Sequence, residues 1–66
     1  MVLVLDDHPI ARQGLESIIK LHKPEEETLQ AGTVGEAIDL VENKPVDMAF
    51  VDLHLHNESG FEFLEW

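Results

Sequence analysis

Two four-residue apolar runs each stop on aspartate. Val2-Leu3-Val4-Leu5 leads into Asp6-Asp7, and Met48-Ala49-Phe50-Val51 leads into Asp52. A short unbroken apolar run reads as a strand buried on both faces, the kind a parallel sheet contains. In open parallel sheets, ligands bind in the crevice beyond the carboxyl ends of the strands. If these two strands lie side by side, Asp6, Asp7 and Asp52 converge at one edge of the sheet. Three carboxylates that close repel one another unless a cation sits among them, and hard oxygen donors suit Mg²⁺. The expectation is a divalent-metal pocket on a small α/β sheet.

The remaining segments fit that frame. Pro9 suits the first turn of a helix, where its missing N–H costs nothing. Ala11, Leu15, Ile18 and Ile19 recur at helical spacing, and Lys23-Pro24 ends the segment, because proline disfavours α geometry in the residue before it. Gly14, inside this helix, suggests close packing against the sheet, and Arg12 reads as a surface residue. Thr28-Leu29-Gln30-Ala31 is a weaker apolar run, as an edge strand would be. Thr33-Val34-Gly35-Glu36 matches a capping box, followed by a stripe of Val34, Ala37, Ile38 and Val41 that Asn43-Lys44-Pro45 stops. Phe61, Phe63, Leu64 and Trp66 begin a third helix after Gly60. The order β-α-β-α-β-α predicts a parallel sheet with helices on both faces and right-handed crossovers.

Composition narrows the function classes. The 66 residues carry a formal net charge of −10 with only four Lys and Arg, so the segment repels phosphate backbones and is not expected to bind nucleic acid directly. With 44% hydrophobic residues in clear periodic patterns it does not read as disordered. Without cysteine it has neither disulfide nor thiolate metal site. No run approaches the ~18 apolar residues that span a membrane, and no signal-peptide pattern opens the chain, so a cytoplasmic location is expected.

Leu3-Val4-Leu5-Asp6-Asp7-His8-Pro9, then Arg12-Gln13-Gly14-Leu15, then Val51-Asp52-Leu53 with Gly60 eight residues beyond Asp52, together resemble the receiver domain of two-component response regulators. The opening and the Arg-x-Gly-Leu helix are most similar to receivers that precede a LuxR-type output domain. The resemblance implies a flavodoxin-like fold of strand order 2-1-3-4-5, in which strands 1 and 3 are neighbours. It implies that residues 1–66 are a partial receiver domain, a phosphorelay component rather than an enzyme. Asp52 would accept a phosphoryl group from a sensor histidine kinase to control a transcriptional output. Mg²⁺ would be held by Asp7, Asp52 and the main-chain carbonyl of His54, with Asp6 acting through water.

Two positions depart from the family pattern. His56 stands where Pro is usual, four residues after the phosphoacceptor, and His54 where Asn is frequent. The sequence also stops at Trp66, whereas a whole receiver has roughly 120 residues and includes a switch Ser/Thr and a Lys on later strands. An unpaired apolar edge on the third strand would then favour a homo-oligomer. Two alternatives are an oligomerising fragment that takes no phosphate and a small acidic metal-binding module. His8, His54 and His56 could bring transition metals to such a module.

Overall fold

The computed structural model describes residues 1–53 and 60–65. Along the chain lie β1 (Val2–Leu5), α1 (Pro9–His22), β2 (Thr28–Ala31), α2 (Val34–Asn43), β3 (Met48–Val51) and α3 (Gly60–Glu65). The strands form one parallel sheet of order β2-β1-β3. This is the flavodoxin-like α/β arrangement expected from the sequence.

β1 is the centre of the sheet and all four of its residues are buried. Its register with both neighbours is in step: Val2 faces Thr28 and Met48, and Leu5 faces Ala31 and Val51. Side chains alternate across the sheet, so odd and even positions serve different faces. Leu3, Leu5 and Ala31 bury against Val34 and Ala37 of α2, with Leu29, Ile38, Leu40, Val41, Val46, Val51 and Phe63 packed around them. The stripe anticipated on α2 is therefore the one that packs. Thr33 caps this helix as expected, its Oγ1 accepting from the Glu36 N–H at 3.1 Å.

The α1 side departs from expectation in three ways. Ala11 and Ile18 of the anticipated stripe are exposed, while Leu15 and Ile19 are half-buried. The face that meets the sheet is shifted toward Arg12, Glu16 and Lys20, because the β2 residues opposite it are Thr28 and Gln30, which need polar partners. Gly14 does not pack closely: a Cβ there would meet nothing within 4 Å, so its small size serves no contact among the described residues.

β3 departs too. Its apolar sequence suggested burial on both faces, yet Met48, Ala49 and Phe50 are exposed. The reason is position: β3 is the outer strand, with β1 on one side and no strand on the other among the described residues. Met48 and Phe50 line an open groove with Val2, Ile18 and Ile19. Phe63 is half-buried against the core, whereas Leu64 is exposed. Expectations for Trp66 and the Phe61 side chain fall outside the described residues.

Candidate functional site

The acidic tips meet because of the register. Val51 pairs with Leu5, the Asp52 N–H donates to the Leu5 carbonyl at 2.8 Å, and the Asp6 N–H donates to the Ala31 carbonyl at 3.1 Å. The ladders thus run one residue past the strands and fix the main chain from which Asp6 and Asp52 project. Asp6, Asp7, His8 and Asp52 each offer a ligand atom, and these four atoms lie within 4.8 Å of one another. All three carboxylates are half-buried. The convergence inferred from the sequence is present.

His8 joins this group. Its main-chain N–H donates to Asp6 Oδ1 at 2.9 Å, and its Nδ1 lies 3.1 Å from Asp6 Oδ1 and 2.9 Å from Asp7 Oδ1. The hydrogen bond to Asp6, then the negative charge of Asp7, raises the imidazole pKa above its usual value. The ring remains 70% exposed, so solvent screens much of that attraction. His8 is also the N-cap residue of α1, and its side chain makes no capping bond. Of the histidines considered for a transition-metal site, His8 stands beside the carboxylates; His54, His56 and the His54 main-chain carbonyl lie outside the described residues.

Two further contacts shape the pocket. Gly60, buried at the start of α3, abuts the Asp52–Leu53 backbone. A Cβ there would overlap the Asp52 carbonyl oxygen and lie 2.9 Å from the Leu53 Cα. On the other flank, Arg12 Nη1 donates to the Asp6 main-chain carbonyl at 2.6 Å and Nε donates to Gln30 Oε1 at 3.1 Å. Gln30 Nε2 in turn donates to Glu16 Oε2 at 3.1 Å, which also accepts from Thr28 Oγ1 at 2.7 Å. Lys20 Nζ reaches the Glu26 carbonyl. Arg12 is therefore a half-buried strut rather than the surface residue expected. The signal was in the sequence: Arg12, Glu16 and Lys20 recur every fourth residue, the spacing of one helix face.

The geometry can be set beside known proteins. Residues 2–66 match the family of the response regulator receiver domain. The chain belongs to the response regulator receiver family. Sensory transduction protein LytT of Enterococcus faecalis is 36% identical over 97% of this chain and 26% of its own length. Nitrate/nitrite response regulator protein NarP of Escherichia coli is 33% identical over 96% of this chain and 29% of its own length. Fimbriae Z protein of Escherichia coli is 30% identical over 97% of this chain and 30% of its own length. The chain thus spans between a quarter and a third of these relatives. No solved structure matches it.

Receiver domains bind Mg²⁺ at an acidic pocket and interact with sensor histidine kinases. Three of the four donors gathered here are carboxylate oxygens, the hard ligands Mg²⁺ takes, so Asp6, Asp7 and Asp52 fit that ion. Among the described residues, no helix is long and apolar enough to cross a membrane.

Proposed function

We propose that residues 1–66 form the N-terminal portion of a receiver domain that accepts a phosphoryl group on Asp52 and so controls a transcriptional output. The donor is a phosphohistidine on a sensor histidine kinase. What supports this is one observation: in-register pairing of β1 and β3 gathers Asp6, Asp7 and Asp52 at the carboxyl ends of the strands.

The chemistry follows from charge and position. An Asp52 carboxylate oxygen attacks phosphorus and forms a P–O bond as the P–N bond to the kinase imidazole breaks. The electron pair leaves with the imidazole, and the product is an acyl phosphate. A carboxylate and a phosphoryl group are both anionic, so they approach only where charge is neutralised. A bound Mg²⁺ would supply that neutralisation and orient the phosphoryl oxygens. Asp7 and Asp52 would hold it, with the His54 carbonyl, outside the described residues, as a further ligand and Asp6 acting through water. The protein's own contribution is rigidity: the N–H of Asp52 is tied to Leu5, which limits how far the nucleophile can wander.

Intact mass after incubation with acetyl phosphate and Mg²⁺ tests the proposal. One added phosphoryl group is expected, absent from Asp52→Asn and absent when EDTA replaces Mg²⁺. An unmodified wild-type chain, or an equally modified Asp52→Asn, refutes it.

Self-association belongs to the same proposal. The outer side of β3 faces no strand among the described residues, and Met48 and Phe50 are 53% and 40% exposed. An apolar strand edge is a template for pairing with another copy. Sedimentation velocity at micromolar concentration is expected to show a dimer or larger species, and a folded monomer refutes that part.

A further inference from the structure

Arg12 plays no part in the phosphoryl chemistry above, yet its contacts tie it to the acidic pocket. Its Nη1 bond to the Asp6 carbonyl is short, at 2.6 Å, and charge-assisted. The contact is to the Asp6 main chain, and among the described residues no ion pair joins Arg12 to the Asp6 carboxylate. The guanidinium is itself held from behind, since Nε donates to Gln30, which Glu16 fixes from α1. Gly32, just past β2, keeps the space open: a Cβ there would sit 3.0 Å from Nη1. No glycine among the described residues has a positive φ, so room for the guanidinium, rather than backbone conformation, is what glycine provides at position 32.

We propose that Arg12, working through the gap at Gly32, is a positioning residue that clamps the Asp6 carbonyl and so sets where Asp6 and Asp7 present their carboxylates to a divalent cation. This rests on the receiver reading above. A planar guanidinium can hold Gln30 and the Asp6 carbonyl at once from a fixed fork, whereas an ammonium on a flexible stem cannot. Groups that orient metal ligands from behind typically carry a tenfold or larger share of metal affinity.

The test is calorimetric titration of the full chain with MgCl₂, at a temperature well below each variant's melting point so that loss of fold is not mistaken for loss of affinity. Arg12→Lys keeps the charge near the pocket and removes the fork; Gly32→Ala keeps Arg12 and crowds its guanidinium. Arg12→Lys is expected to weaken Mg²⁺ binding about tenfold, and Gly32→Ala to weaken it less, since the guanidinium tip can shift by a few tenths of an ångström. Gly14→Ala, on the same helix but facing open space, is expected to leave it unchanged. If Arg12→Lys and Gly32→Ala both bind Mg²⁺ as the wild type does, the positioning role is overturned while the receiver reading stands. If the wild type itself binds no Mg²⁺, the proposed Mg²⁺-dependent phosphoacceptor function falls and the role of Arg12 falls with it.

Discussion

Gly60 and Gly14 show how little a residue's identity says without its surroundings. Gly60 lies against the backbone of Asp52 and Leu53, where any side chain would collide with main-chain atoms that cannot swing away. Gly14 sits mid-helix with open space where a Cβ would go. Gly60→Ala is therefore expected to destabilise the fold by about 1–3 kcal/mol, the cost of overpacking a filled site. Gly14→Ala is expected to stabilise it by about 0.5–1 kcal/mol, through a smaller loss of backbone entropy. Urea denaturation of the two variants beside the wild type checks both signs. Loss of stability in Gly14→Ala would mean that α1 packs more closely than the structure has it.

At the scale of elements, α1 is the instructive one. Leu15 and Ile19 supply its apolar contact, but a second row of Arg12, Glu16 and Lys20 runs along the seam with β2 and the segment before it. Hydrogen bonds from Gln30 first, then Thr28, hold the Glu16 carboxyl below its usual pKa of 4.5. A carboxyl lowered on folding adds stability that is fully present above its unfolded pKa. That contribution is lost as pH falls through the lower, folded value. The melting-temperature difference between wild type and Glu16→Gln is thus expected to be greatest at neutral pH and to shrink as pH drops below 4.5. Circular-dichroism melts across a pH series measure it, and a difference that stays constant to pH 3 would remove Glu16 from the seam.

At the scale of the whole molecule, the sheet gathers like charges where its strands end. Asp6 and Asp52 are held at the strand ends by main-chain ladders that do not depend on a cation, and Asp7 lies within reach of both, so without a cation the like charges are expected to oppose folding. Asp52→Asn is expected to melt higher than the wild type in EDTA and to lose most of the gain that Mg²⁺ gives the wild type. Melting curves in EDTA and in Mg²⁺ supply the four values needed. A lower melting temperature for Asp52→Asn in EDTA would show that the carboxylate stabilises the fold rather than straining it.

Much of this was legible along the chain. Element order followed from the alternation of apolar runs and helical stripes, and the α2 cap from Thr33 and Glu36, because these signals are local. That β1 and β3 are neighbours was a condition placed on their apolar runs and an implication of the resemblance to receiver domains; the apolar run itself fits the full burial of Val2–Leu5. Tertiary structure alone decided the rest. Met48 and Phe50 are as apolar as β1, and their exposure follows from β3 being the outer strand among the described residues. Arg12 carries a charge that belongs on a surface until Gln30, the Asp6 carbonyl and the space at Gly32 come together around it. Covalent sequence sets each residue's preference, but which partners satisfy a polar group, or leave an apolar one bare, depends on neighbours far away along the chain.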